Sequence, residues 1–303
     1  MVSGSTGLVG SALVPKLTAA GHSVVRLVRL PSVAGAAAVA WDPAGGRLDA
    51  APLEGFDAVV HLAGENLAAG RWSAARKERI RASRVDGTRL LSETLARLSR
   101  RPRTLVAASA IGYYGDRGEE ILSEESAPGD DFLSGLCREW EAAAGPAARA
   151  GIRVVNLRFG VILSPAGGAL AKMLPPFRLG AGGPLGSGRQ YVSWIALDDA
   201  VAIIHHALAA AVLRGPVNAV APRPVTNLDL TKTIGRVLSR PTFMPMPAFA
   251  ARILFGEMAD ALLLSSARVE PKRLLASGYR FRHPDLEGAL RHLLGKAHRS
   301  SGD

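Results

Sequence analysis

Short apolar runs alternate with longer amphipathic segments over the first half of the chain. The apolar runs are rich in Val, Leu and Ala and end in glycine or small polar residues, at 22–28, 57–64, 103–110 and 153–160. The spacing of Leu, Ile and Ala between them predicts helices over about 8–20, 74–99 and 133–150. Strands that alternate with helices form parallel sheets. The pattern therefore predicts an α/β fold with a doubly wound parallel sheet, whose strand ends form one rim where ligands bind.

The sequence pattern changes after Gly160, where the glycine-rich stretches "SPAGGAL" and "LGAGGPLGSGRQ" flank a short predicted helix. We expect residues 1–163 to form a nucleotide-binding body and residues 164–303 to form a smaller mixed α/β lobe that binds substrate. A helix predicted over 197–213 suggests that a segment of about 195–220 returns to the body. We expect the ligand site in a cleft between the two parts.

The stretch "VSGSTGLVG" places Gly4, Gly7 and Gly10 three residues apart and leads directly into a helix. In a Rossmann fold, the first glycine allows a tight turn, the second lets the backbone approach a pyrophosphate, and the third permits close helix packing. Only three residues precede Gly4, whereas a strand usually has about five. We expect that further apolar residues upstream would improve folding.

The end of the second predicted strand indicates which dinucleotide binds. Folds that select NAD place an acidic residue near this point to accept a hydrogen bond from the ribose 2′-hydroxyl. This chain has Val28 followed by Arg29 instead. Because a guanidinium matches a 2′-phosphate, the sequence favours NADP over NAD.

Composition limits which classes of partner and which cellular compartment we expect. The net charge is +11, but the arginines are spread along the chain and no zinc-finger spacing accompanies them, so we expect no nucleic-acid partner. No apolar window is long enough for a membrane span. A single cysteine, Cys137, allows no internal disulfide, and we expect a cytoplasmic protein. We propose no metal site from the sequence, because the adjacent His205 and His206 point to different helix faces.

Nine sequence motifs together resemble the extended short-chain dehydrogenase/reductase superfamily, and within it the atypical "epimerase family" branch. They are "SGSTGLVG", "HLAGEN", "RW", "SRVDGT", "SAIGYYG", "DFLSGLCREWEAAA", "LRFGVILSPAGGAL", "LPPFRLGAGGPLGSGRQYVSWI" and "VNAVAP". The resemblance covers essentially the whole chain. Residues 247–294 are similar to a small domain of unknown function that ends this branch.

The resemblance implies an NADP site on the sheet rim, with Arg29 at the 2′-phosphate. Arg84 falls where many relatives keep an Asn near the cofactor, and Ile162 falls where the backbone faces the nicotinamide. The other implied cofactor-binding residues are Gly4, Thr6, Gly7, Leu8, Val9, Leu62, Ala63 and Gly64.

The larger superfamily uses a Ser or Thr and a Tyr-x-x-x-Lys pair for proton transfer. Ser109 fits the first role. The next helix places Leu133 and Cys137, or Phe132 and Leu136 in a shifted register, where the Tyr and Lys would stand. The usual pair is therefore missing.

Three interpretations stay open. Tyr113 or Tyr114 could act with Ser109, Glu65 and Arg71, although Tyr114 also matches a structural tyrosine of the superfamily. Cys137 could act as a nucleophile or redox switch, although a mid-helix thiol is more often a packing residue. The fold could also bind NADP without turnover.

Residues of the second half are candidates for substrate contact. Gln190, Tyr191 and Trp194 lie beside the glycine-rich segment, where they either line the cleft or pack the lobe. Asp198 and Asp199 are expected to cap the helix that begins there.

The leading hypothesis is an NADP-dependent oxidoreductase or epimerase-like enzyme that acts on a small polar or nucleotide-sugar-like molecule. The alternative is a non-catalytic NADPH-binding regulator, acting through a protein partner. Because some members of the family are labelled cell-division inhibitors, the resemblance implies a link of that regulator to division or envelope physiology.

Overall fold

The computed structural model describes residues 1–29 and 37–296. The strands are β1 (Val2–Ser3), β2 (Arg26–Arg29), β3 (Ala38–Trp41), β4 (Ala58–His61), β5 (Thr104–Ala110), β6 (Ile121–Leu122), β7 (Arg153–Phe159), β8 (Val161–Leu163), β9 (Tyr191–Val192), β10 (Trp194–Ala196), β11 (Gly215–Ala219), β12 (Val225–Thr226) and β13 (Arg268–Val269). The helices are α1 (Leu8–Ala19), α2 (Ala74–Arg97), α3 (Phe132–Ala143), α4 (Gly145–Arg149), α5 (Gly168–Arg178), α6 (Leu197–Ala209), α7 (Asn227–Leu238), α8 (Ala248–Phe255), α9 (Glu257–Ala259), α10 (Lys272–Ala276) and α11 (Leu286–Leu293).

Seven strands form the main sheet, in the order β11-β7-β5-β4-β1-β2-β3. Strand β1 pairs in parallel with β2 and β4, and β4 pairs in parallel with β5. The chain therefore starts in the middle of the sheet and winds outward in both directions, which confirms the predicted doubly wound Rossmann fold.

The chain divides into two compact units. The first comprises Met1–Tyr113, Asp130–Arg158 and Val201–Val217, and the second comprises Tyr114–Gly129, Phe159–Ala200 and the chain from Asn218 onward. No local pattern along the chain indicates that residues 114–129 belong to the second unit. They do so because β6 pairs with β13, nearly 150 residues later, and local patterns do not reveal such a pairing.

One hydrophobic cluster of the first unit joins the main sheet to α2. Strand residues such as Leu27, Val59 and Leu105 pack there with Leu91 and Leu95 of α2, and all five are nearly or fully buried. Among the described residues, no helix is both long enough and apolar enough to cross a bilayer.

Helix boundaries follow capping chemistry. Ser73, Asp131 and Thr226 each accept a hydrogen bond from a backbone N–H in the first turn of α2, α3 and α7. The single helix predicted over 133–150 is instead two helices, α3 and α4. Pro146, which has no backbone N–H, stands in the first turn of α4, and this favours a new helix start at that point.

Candidate functional site

The glycine loop between β1 and α1 has the geometry of an anion-binding turn. Gly4 has φ +64°, and a Cβ there would lie 2.7 Å from the backbone carbon of Leu62. A Cβ on Gly10 would overlap the Gly4 carbonyl oxygen. By contrast, a Cβ on Gly7 would meet only the loop's own Gly4 oxygen, at 3.3 Å, so the backbone there has an open side. Gly7 is also the N-cap of α1, where the helix dipole favours an anion.

A buried hydrogen-bond network fixes this loop to the neighbouring strand. Ser3 Oγ accepts hydrogen bonds from the backbone N–H of Leu62 and Ala63 and lies 2.7 Å from His61 Nδ1. His61 Nε2 lies 3.1 Å from Thr88 Oγ1 on α2. Burial lowers the pKa of His61 to about 4, so the ring is neutral at pH 7. Through Ser3, the "HLAGEN" histidine thus helps to hold Leu62 and Ala63, two of the predicted cofactor-binding residues, in place.

Arg84 brings a buried positive charge next to this segment. Its side chain is only 9% exposed, and a Cβ on Gly64 would lie 3.3 Å from its guanidinium carbon. The guanidinium lies over the Trp140 ring, and within the described residues it forms no salt bridge. Burial lowers the pKa of Arg84. A buried cation without a paired carboxylate fits the phosphate or ribose of a dinucleotide.

Arg29 is the last residue of β2 and is exposed, and residues 30–36 that follow it lie outside the described chain. Its contact with a 2′-phosphate stays a prediction. Thr6, Leu8 and Val9 lie in the glycine loop and the first turn of α1.

Four side chains of the first unit form a continuous contact chain at the carboxyl ends of β5 and β7. The Ser109 hydroxyl donates to Glu141 Oε1 at 2.7 Å. Arg158 donates to both oxygens of the same carboxylate, at 2.7 and 2.9 Å. The Arg158 guanidinium also stacks on Tyr113, with Cζ 3.4 Å from the ring centroid. Ser109 and Arg158 are buried and Tyr113 is half-buried.

At the two positions where the Tyr-x-x-x-Lys pair would stand, α3 has no proton-transfer group. Leu133 and Cys137 are both buried, and a Cβ on Gly112 would lie 3.3 Å from Leu133 Cβ. Burial is the main cause that raises the pKa of the Cys137 thiol, to about 12. Since the thiolate is the nucleophile, this environment is that of an inert packing cysteine.

Tyr114 and Ile162 lie in the second unit. Tyr114 is fully buried and its hydroxyl donates to Asn218 Oδ1 at 2.7 Å, which is the environment of a structural tyrosine. Its catalytic role stays a prediction from the sequence without support from this geometry. Ile162 lies in β8, which pairs in parallel with β10.

The other candidates have mainly structural surroundings. Trp194 is fully buried and its ring N–H donates to the Arg223 carbonyl, while Gln190 donates to the carbonyls of Leu185 and Leu263. Tyr191 is half-buried with Arg268 over its ring. Glu65 Oε1 lies 3.4 Å from Arg76 Nη1, which makes the pair a salt bridge.

Asp198 and Asp199 lie inside the first turn of α6 and were expected to cap that helix. The Asp199 carboxylate instead accepts hydrogen bonds from the Tyr279 hydroxyl and from the backbone N–H of Arg282 and His283. That expectation is therefore wrong for Asp199, whose partners lie 80 residues and more along the chain, beyond the reach of a local pattern.

Sequence reasoning missed the roles of Glu141 and Arg158. Along the chain, Glu141 is one acidic residue of α3 and Arg158 is one arginine of β7. An arginine within a largely apolar strand is a signal for a buried ion pair, because an unpaired buried charge is costly.

The family comparisons agree with this geometry. Residues 1–219 match the model of the NAD dependent epimerase/dehydratase family. Residues 246–293 match the model of a domain of unknown function, DUF1731. An epimerase family protein of Mycobacterium bovis is 45% identical over 289 residues, which is 95% of each chain. The human epimerase family protein SDR39U1 is 38% identical over 297 residues, covering 97% of this chain and 99% of the human one.

Solved structures give the same relationship. The crystal structure of human SDR39U1 with NADPH superimposes with a TM-score of 0.89 at 37% identity, covering 98% of this chain and 99% of that one. The crystal structure of a nucleoside-diphosphate sugar epimerase from Corynebacterium glutamicum superimposes with a TM-score of 0.79 at 41% identity. The match covers 97% of this chain and 57% of that one. With its glycine loop and its doubly wound sheet, this chain belongs to the NAD-dependent epimerase/dehydratase family and has the DUF1731 domain at its C-terminal end.

Proposed function

We propose that this protein is an NADP-dependent oxidoreductase that acts on a small polar molecule and uses Ser109 and Tyr113 at the reacting group. The observation behind the proposal is the chain of contacts from Ser109 through Glu141 and Arg158 to Tyr113. It lies at the carboxyl ends of the strands, where open α/β sheets bind ligands.

The residues of the first unit fit the cofactor. The backbone at Gly4, Gly7 and the start of α1 would hold the pyrophosphate, Leu62, Ala63 and Gly64 the adenosine side, and Arg84 a phosphate or ribose. Arg29 would bind the 2′-phosphate, and the NADPH in the human relative supports this preference. When bound, the cofactor supplies the hydride acceptor or donor.

The hydrogen-bond direction at Ser109 gives it a definite role. Because its proton is donated to Glu141, its oxygen lone pairs are available to accept a hydrogen bond from a substrate hydroxyl. Ser109 then orients the substrate. We assign Tyr113, whose ring is held by the stacked Arg158 guanidinium, as the group that exchanges a proton with the substrate. The Arg158 and Glu141 pair positions both side chains without contacting substrate.

The test starts with a fluorescence titration of the purified protein with NADPH, followed by turnover assays on carbonyl compounds, alcohols and nucleotide sugars. Nucleotide sugars are included because the Corynebacterium relative is a nucleoside-diphosphate sugar epimerase. We expect Tyr113→Phe and Ser109→Ala to lower kcat by about 100-fold or more while NADPH still binds. The control Tyr114→Phe should lower stability and leave kcat unchanged. Turnover that survives Ser109→Ala and Tyr113→Phe together would contradict the assignment.

The cofactor preference has its own test. Arg29→Asp should weaken NADPH binding by about 10- to 100-fold, because a charge-assisted contact is lost, and should change NADH binding little. Arg26→Asp, at the other end of β2, is the matched control and should change neither. Equal loss of both cofactors in Arg29→Asp would refute the 2′-phosphate contact.

The second candidate function is an NADPH-binding regulator without turnover, acting through a protein partner in division or envelope physiology. It is favoured by Leu133 and the inert Cys137, which stand where the Tyr-x-x-x-Lys pair would be. Its test is complementation of a deletion strain by the triple variant of Ser109, Tyr113 and Tyr114. Full complementation, together with no turnover on any substrate, would support the regulator and reject the enzyme.

A further inference from the structure

Three potential metal ligands of the second unit converge from distant parts of the chain. Asp198 lies in the first turn of α6, His283 lies in the segment before α11, and His292 lies in α11. His292 Nε2 is 2.8 Å from Asp198 Oδ2, and the two imidazole rings stack with centroids 4.3 Å apart. One ligand atom from each residue lies within 4.8 Å of the other two.

The backbone positions of the two histidines are fixed independently of any metal. Asp199 accepts a hydrogen bond from the His283 backbone N–H at 2.9 Å and another from Arg282. Helix α11 is capped by Asp285, and its buried residues include Leu286 and Leu290. Asp198 and His292 therefore stand on helices, and His283 is held through its backbone hydrogen bond to Asp199, which favours a preorganised site.

The donor atoms suit a divalent transition metal. Two imidazoles and one carboxylate are typical ligands of Zn²⁺, and with bonds of about 2.0–2.1 Å, tetrahedral ligand atoms lie about 3.3 Å apart. The contact between His292 and Asp198 would need to open by about 0.5 Å to reach that spacing. The two stacked imidazoles would also need to rotate so that their in-plane lone pairs converge on one ion. Within the described chain, neither ring nitrogen of His283 has a hydrogen-bond partner, so a lone pair is available for a metal.

Access and charge are also compatible with cation binding. The side chain of His292 is 52% exposed and that of Asp198 is 32% exposed, so an ion can enter from solvent. Arg291, next to His292 along the chain, is paired with Glu287 at 2.7 Å, and this compensates its charge.

We propose that Asp198, His283 and His292 bind one divalent transition-metal ion of the zinc type, with a fourth position open to water. The site would join the start of α6 to the DUF1731 segment. It lies outside the residues assigned above to cofactor and substrate, so the two proposals stand or fall separately.

The experiment uses the full chain without a histidine tag, freed of metal with EDTA and dialysed. Titration with Co²⁺ should produce visible absorption bands that saturate at one equivalent and disappear on addition of Zn²⁺. Zn²⁺ should also raise the melting temperature, because a ligand that binds only the folded state stabilises it. His283→Gln and His292→Gln should each weaken Co²⁺ binding by at least 100-fold. Asp199→Asn, which loosens the His283 backbone, should weaken it about 10- to 100-fold.

The control is His205→Gln, since His205 is an exposed histidine outside the proposed ligand set, and its ring is tilted against that of His22 with centroids 5.6 Å apart. It should bind Co²⁺ like the wild type. Melting in EDTA and circular dichroism establish that each variant is folded. Absence of Co²⁺ bands up to millimolar metal, unchanged binding in the double histidine variant, or loss of binding in His205→Gln would each overturn the proposal.

Discussion

Glu141 Oε1 accepts a hydrogen bond from Ser109 and another from Arg158 Nε, each at 2.7 Å. One carboxylate therefore links the end of β5 to the end of β7 through α3. The Arg158 and Glu141 side chains are only 3% and 13% exposed, so the pair is removed from screening by solvent. A buried pair of this kind orients its neighbours more than it stabilises the fold.

The ion pair gives the first prediction. Glu141→Gln should lower the free energy of unfolding by about 3–5 kcal/mol, because it leaves the Arg158 charge buried without its partner. The double variant Glu141→Leu with Arg158→Met should lose much less, since it removes both charges. Urea denaturation of the variants measures the difference. A double variant as unstable as Glu141→Gln would contradict this account.

Gly7 and Gly10 of the glycine loop allow the effects of an added methyl group on stability and on NADPH binding to be compared. Gly10→Ala should lower stability by about 1–3 kcal/mol, because its Cβ would overlap the Gly4 carbonyl oxygen and lie 2.7 Å from Ser5 Cα. Gly7→Ala should keep most of the stability, since its Cβ meets only the Gly4 oxygen at 3.3 Å. It should nevertheless lose NADPH affinity, because the methyl group blocks the approach of the pyrophosphate. Thermal melts and fluorescence titration separate the two effects. NADPH affinity unchanged in Gly7→Ala would argue against a cofactor on this loop.

His61 predicts a pH dependence of stability. Its pKa falls from 6.5 to about 4 on burial, so the unfolded chain binds a proton that the folded chain does not. The contribution of the neutral His61 ring to the free energy of unfolding is fully present above pH 6.5. It is lost progressively as the pH falls toward 4, and the loss amounts to roughly 3 kcal/mol. The free energy of unfolding should be measured between pH 4 and pH 8 for the wild type and for His61→Gln. The variant should be less stable throughout, and its curve should lack this slope. Parallel curves would mean that folding does not shift the pKa of His61.

The single cysteine predicts a slow thiol reaction. Because burial raises the pKa of Cys137 to about 12, a disulfide reagent at pH 8 should modify the native protein far more slowly than the protein in guanidinium. Cys137→Ala should keep NADPH binding and any turnover. Rapid modification of the native protein, with loss of NADPH binding, would instead support the redox interpretation.

Much of the fold could be predicted because its signals are local. The alternation of apolar runs with helical spacing predicts a parallel sheet, and Gly4, Gly7 and Gly10 predict the loop that follows β1. Helix starts at Ser73 and Thr226 follow from capping residues within one turn. The break after α3 was missed, although Pro146 marks it.

By itself, then, the sequence determined the doubly wound sheet, the glycine loop and the absence of a Tyr-x-x-x-Lys pair, since each depends on residues close together along the chain. Only the tertiary structure decided that Glu141 joins Ser109, 32 residues away, to Arg158. It also decided that Asp198 meets His292 across 94 residues. Such contacts depend on how whole strands and helices pack, and no periodicity in one segment specifies its distant partner.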